Sequence, residues 1–222
     1  MQKLHLLALL FCLPCFLMAQ PEDTGASPRR KAYESIKALK EGILVVCLPS
    51  NHNKIKALSA LLNNPQVGET EKKRIQEQLA TTISESQSDN KITIAAFRQE
   101  YRFSEIYFAY DTAVIQLRNG IPGGFFLNDS LEVVPRTSLA GKPWFVLRMG
   151  YTDATQNSGA EAFMLSDSNL NELPPPFPAA IRFDNLSYLI NRALAPEIAV
   201  RKRMTKVAKK LQQKLGDFYG EE

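Results

Sequence analysis

Five of the six residues at positions 43–48 are aliphatic and the sixth is Cys47. An unbroken apolar run of that length, opened by Gly42 and stopped by Pro49, predicts a strand buried on both faces, as at the centre of a parallel sheet. A short helix over 32–39 precedes it. After it, Ile55, Leu58, Leu61 and Leu62 recur at helical spacing, with Ser50 or Asn51 as the cap and the Asn63-Asn64-Pro65 turn as the stop. A second helix is signalled from Glu69 by Ile75, Leu79 and Ile83 on one face. The Ser-, Gln- and Asp-rich stretch 84–89 is read as its end. Asp89 or Asn90 then caps a third helical segment with Ile92, Ala95, Ala96 and Tyr101, and a crossover lays the strand 106–110 parallel to the first.

Beyond Asp111 the period shortens. Short strands are predicted at 114–117, 125–127 and 131–134, and a hairpin is predicted from the runs 144–151 and 160–165 around the polar tip 152–159. Pro174, Pro175, Pro176 and Pro178 bar the stretch 171–179 from a ladder, so it reads as a rigid surface connection. Asp184 and Pro196 open two closing helices. The expected fold is α/β with a mixed sheet, parallel in its first half and antiparallel in its second, helices on its faces and a basic amphipathic helix at the C-terminus.

The N-terminus changes the picture of where this domain works. Lys3, the apolar run 4–18 and Ala19 follow the order of a secretory signal peptide. The run is shorter than the ~20 residues of a spanning helix and contains Pro14. The expectation is a cleaved signal over 1–19, a mobile leader over 20–30 and one globular domain over 31–222, exported to the periplasm or secreted. Cys12 and Cys15 leave with the signal, so one cysteine, Cys47, and one histidine, His52, remain. That excludes an internal disulfide and gives no support to a structural zinc site or any other cofactor.

The order strand, helix, strand, hairpin, closing helix resembles a decorated thioredoxin-like domain, without a redox pair where Pro49, Ser50, Asn51 and His52 follow the first strand. The signal ending Met-Ala-Gln, the segment GILVVCLPSNHNKIKAL and the phrase FSEIYFAYD together resemble exported α/β proteins of Bacteroidota. That resemblance implies export and carries no activity over to this chain.

Two places carry candidate chemistry. Ligands of open α/β sheets sit at the carboxyl ends of parallel strands, which makes Ser50, Asn51, His52 and Asp111 a candidate pocket for a hydrolase or small-ligand site. Equally, Ser50 or Asn51 is a helix cap and Asp111 starts a turn. Cys47 and His52 would be a nucleophile and base only if the thiol escaped its apolar strand.

The second place is the terminal helix. Val200, Met204, Val207, Leu211, Leu215 and Phe218 form one apolar stripe. Beside it stand Arg201, Lys202, Arg203, Lys206, Lys209, Lys210 and Lys214, with no acidic residue among them, in a chain of net charge +4. One expectation is that the stripe packs on the domain itself while the cations face water. The other is a non-catalytic interaction module whose terminal helix docks an envelope protein or an anionic surface, so that deleting 200–222 leaves a folded body. Nucleic acid is not expected as a partner, because export removes the target and no aromatics interleave the charges.

Overall fold

The computed structural model describes residues 26–153, 158–183 and 185–221. The expected signal peptide, most of the expected leader, positions 154–157 of the hairpin tip and Asp184 lie outside these residues. Helix α1 (Pro28–Glu41) starts four residues before its expected position, because the Ser27 hydroxyl accepts the Arg30 amide proton and Pro28 occupies the first turn. Strand β1 (Ile43–Leu48) is buried at every position, as its unbroken apolar run requires. It is followed by α2 (His52–Leu62), α3 (Glu69–Glu100) and β2 (Glu105–Tyr110), and β2 pairs with β1 in parallel.

The stretch 84–89 does not end a helix. Helix α3 runs unbroken for 32 residues. Ser, Asn and Asp weaken helices by turning their side chains onto the local backbone. Here those side chains reach across to other elements instead. The Ser86 hydroxyl and the Asn90 amide both donate to the carbonyl of Pro49, at 3.2 and 3.0 Å. The Ser88 hydroxyl donates to Glu197, and Asp89 pairs with Arg192 at 2.8 Å. Thr82 and Asn90 are buried while Ile83 and Ala95 face out, so tertiary contacts, not the apolar spacing alone, set which face turns inward.

The strand expected at 114–117 is helix α4 (Val114–Arg118), continuing a 3-10 turn at Asp111–Ala113. Its β-branched residues suit a strand, yet Leu117 alone of the four is fully covered, and the turn's geometry carries on into helical backbone. The expected strands at 125–127 and 131–134 reduce to single bridges, Ala109 to Phe126 and Leu127 to Val133. The hairpin is present as β3 (Trp144–Asp153) and β4 (Ser158–Ser166), antiparallel, with β3 also parallel to β1. A strand that was not expected, β5 (Ala180–Arg182), adds to β4, and α5 (Asn185–Leu194) and α6 (Pro196–Gly220) close the chain.

The sheet order is β2-β1-β3-β4-β5, parallel around β1 and antiparallel from β3 onward: an α/β fold with a mixed sheet. The two faces are covered differently. Leu44, Val46 and Leu48 point into the larger core with α1, α3 and α6. Ile43, Val45 and Cys47 point into a smaller one closed by Ala113, Leu117, Phe126 and Leu139. The proline-rich stretch 171–179 is more than a surface connection, since Leu173 and Phe177 drop from it into the larger core. So does the whole apolar stripe of α6, from Val200 to Phe218. Among the described residues, no helix is long and apolar enough to cross a membrane.

Candidate functional site

The carboxyl ends of β1 and β2 do bring Ser50, Asn51, His52 and Asp111 together around one shallow depression. The side chains of Ser50 and Asp111 are engaged by the backbone. The Ser50 amide donates to Asp111 Oδ1 at 3.1 Å, and the His52 amide donates to the Ser50 hydroxyl at 3.3 Å in a turn that leads into α2. Asn51 sits in left-handed backbone at φ 52° and its side chain caps nothing, an arrangement that suits asparagine. Asp111 thus ties the end of β1 to the end of β2. His52 is exposed on the first turn of α2.

Cys47 is not available to this depression. It points into the smaller core, and burial pushes its thiol up to about 12, with Asp111 adding to the shift. A thiol held that high is protonated at neutral pH and inert. A thiol reagent such as a maleimide is therefore expected to modify Cys47 in the folded protein no faster than the chain unfolds, and promptly in denaturant. Rapid stoichiometric labelling without denaturant would show that the thiol is reachable. Among the described residues, no three His, Cys, Asp or Glu side chains cluster to hold a metal.

The more built site lies between α5, α6 and β5. Helix α5 packs on α6, and the groove beside it encloses a cavity of about 480 Å³. Ile181, Phe183, Tyr188 and Val207 supply its apolar walls. Beside Ser187 and Asn191, its charged lining among the described residues is Arg182, Lys202, Arg203, Lys206 and Lys210, with no carboxylate. Lys202, Lys206 and Lys210 fall four residues apart, which places them in one row along α6.

Arg203 is the buried member, its side chain only 10% exposed. Its guanidinium lies between two rings, 3.7 Å from the Phe183 centroid and 4.0 Å from that of Tyr188. Stacking of this kind suits a planar, weakly hydrated cation. The group reaches Asn185 at 3.4 Å and Glu161 at 3.6 Å, both longer than a well-formed charge-assisted bond. Among the described residues, its Nε is buried without a hydrogen-bond partner. A buried donor left unmade is costly and marks a place that a ligand or water completes.

A second cavity of about 480 Å³ lies on the other side of Arg203, between α3, α5 and the end of β1. It differs in being internally neutralised. Arg192 pairs with Asp89 there, and Glu161 accepts Arg203. Burial holds the Asp89 carboxyl above its ordinary range despite the opposing pull of Arg192.

The seven cations of α6 thus separate into groups. Lys209 faces Glu100 at 3.8 Å, Lys214 donates to the carbonyl of Ala180 at 3.2 Å, and Arg203 is enclosed. Arg201, Lys202, Lys206 and Lys210 are exposed. The aromatic cradle was not visible in the sequence, because Phe183, Tyr188 and Arg203 come from three elements and share no local spacing. Compared with protein-family models, curated proteins and solved structures, the chain matches none.

Proposed function

We propose that the chain is an exported, non-catalytic binding module of the cell envelope that takes an anionic group into the groove between α5 and α6. The observation that carries this reading is the buried Arg203 guanidinium, held between two rings with Nε unmatched among the described residues, at the wall of a groove whose described charged lining is positive. Beside Arg203, which Glu161 meets from the far side, Arg182, Lys202, Lys206 and Lys210 have no carboxylate among the described lining residues, so they raise the local concentration of anions and leave donors to receive one. The depression at Ser50, His52 and Asp111 is the alternative place for a ligand or a hydrolytic reaction. Among the described residues nothing in its geometry activates a nucleophile, since the Ser50 hydroxyl accepts the His52 amide in a turn and Cys47 points away.

Titration calorimetry with inorganic pyrophosphate, a probe that carries charge and no lipid, tests the reading. Saturable binding that weakens with added salt is expected. Changing Lys202, Lys206 and Lys210 to glutamine together is expected to weaken it at least tenfold with unchanged thermal unfolding, since all three side chains end in water. Equal affinity in the triple variant, or no binding by either protein, would remove the groove as an anion site and return the search to the Ser50 depression.

A further inference from the structure

Helix α5 is amphipathic the wrong way round for a surface helix. Its Tyr188 and Arg192 face the protein, where Tyr188 stacks on Arg203 and Arg192 pairs with Asp89. Its aliphatic side chains face out. Leu189 is 62% exposed, Ile190 57% and Leu194 81%, and Ile198 in the first turn of α6 is 68% exposed. No residue of α5 is buried, and its sequence contains no acidic residue. Water gives no reason for a helix to present three neighbouring aliphatic side chains, so this face is built for something else.

What lies beside it narrows the occupant. On α6, Ile198, Lys202, Lys206 and Lys210 repeat every four residues, so the exposed isoleucine and the three lysines form one row. The outward aliphatic patch therefore runs directly into the cationic row. An apolar face bordered by lysines is the pattern of a helix that lies in the plane of a membrane interface, with aliphatic side chains among the acyl chains and ammonium groups among phosphates. A second copy of the chain fits less well. A two-fold contact through this patch would set two rows of lysines against each other with no carboxylate in either row.

We infer that α5 and the first turns of α6 dock on an anionic lipid surface, with Leu189, Ile190, Leu194 and Ile198 inserted at the headgroup boundary and Lys202, Lys206 and Lys210 on lipid phosphates. The inference rests on the cationic reading of the groove, to which it adds the apolar stripe and one kind of partner. In this arrangement no helix among the described residues crosses the bilayer. The protein lies on its surface.

The test is co-sedimentation of the processed, exported chain with vesicles of phosphatidylcholine alone and of phosphatidylcholine mixed with phosphatidylglycerol, at low and high salt. Binding to the mixed vesicles only, relieved by salt, is the expected result. The pair Leu189→Glu and Leu194→Glu should lower the partition coefficient at least tenfold with little change in thermal unfolding, because both side chains are mostly exposed. The triple glutamine variant should lower it about a hundredfold at low salt, one factor for each lysine near the lipid surface.

No sedimentation with the mixed vesicles would overturn the inference, as would equal sedimentation of the Leu189→Glu, Leu194→Glu variant. A concentration-dependent dimer that this variant abolishes would assign the patch to a second copy and overturn it too. Pyrophosphate binding separates the two levels. If it persists while vesicles are ignored, the membrane inference fails and the anion groove stands; if it is absent while mixed vesicles bind, the groove reading fails and the apolar face acts alone.

Discussion

A chain ending at Ala199 gives no cooperative unfolding transition in a denaturant titration followed by circular dichroism. The truncation removes Val200, Met204, Val207, Ala208, Leu211, Leu215 and Phe218, all of which lie in the larger core. Phe218 alone stacks on Tyr33 of α1 at 5.0 Å and meets Phe177 edge-on at 5.8 Å, so the loss strips α1 and the proline-rich connection as well as α3. Truncating one buried leucine to alanine costs about 2–5 kcal/mol, against a total stability of roughly 5–15 kcal/mol for a domain. Seven missing side chains exceed what the remainder holds. Leu211→Ala is the graded version, expected to leave a transition lowered by about 2–5 kcal/mol. A truncated chain that still unfolds cooperatively would show that α6 is an appendage, the expectation drawn from its charge.

Gly42→Ala is expected to be the most damaging of the single-methyl changes. Gly42 joins α1 to β1, and a Cβ there would stand 2.3 Å from the carbonyl oxygen of Pro143 and 2.6 Å from that of Ala38. Neither neighbour is free to give way. The Pro143 carbonyl accepts the Ile43 amide at 2.9 Å, and the Ala38 carbonyl belongs to the last turn of α1. Overpacking against backbone costs about 3 kcal/mol at the upper end of the usual range. In a protein of this size that lowers the melting temperature by roughly 6–12 °C. Gly216→Ala is the opposing control. It sits in α6 with open space where the methyl would go, and alanine there is expected to raise stability by about 0.4–1 kcal/mol. If Gly42→Ala melts with the wild type, the α1–β1 junction is looser than these distances require.

The central strand was legible because burial on both faces leaves an unbroken apolar run, and the hairpin because its two runs flank a polar tip. The α6 stripe was legible for the same reason, with one continuous row at helical spacing. What misled the reading was polar sequence whose partners lie far away. Ser86 and Asn90 look like a stop signal until Pro49 is seen across from them, 37 and 41 residues distant in sequence. Val114 and Ile115 look like a strand until the turn at Asp111 is seen to lead into helix. Of the candidate sites, Ser50, His52 and Asp111 do share one depression at the strand ends, as their places in the sequence predict, yet Ser50 and Asp111 are engaged in turns. The cationic row could be counted from the sequence, but the buried arginine between two rings could not. The outward turn of α5 was equally invisible, since a periodic stripe says that a helix has an apolar face without saying which way it looks.

The ends of the sheet bear on how the protein behaves when crowded. At one end, the Leu127 amide donates to the Phe108 carbonyl and Phe126 bridges to Ala109, so β2 is partly occupied along its outer side. At the other end, β5 has three residues, and Lys214 reaches the carbonyl of Ala180. Neither margin presents the long row of unpaired amides and carbonyls that recruits a neighbouring chain into a growing ribbon. Among the described residues, strand addition is therefore disfavoured at the β2 and β5 margins, and the exposed aliphatic side chains of α5 are a surface whose contribution to clustering at high concentration detergent or lipid would suppress.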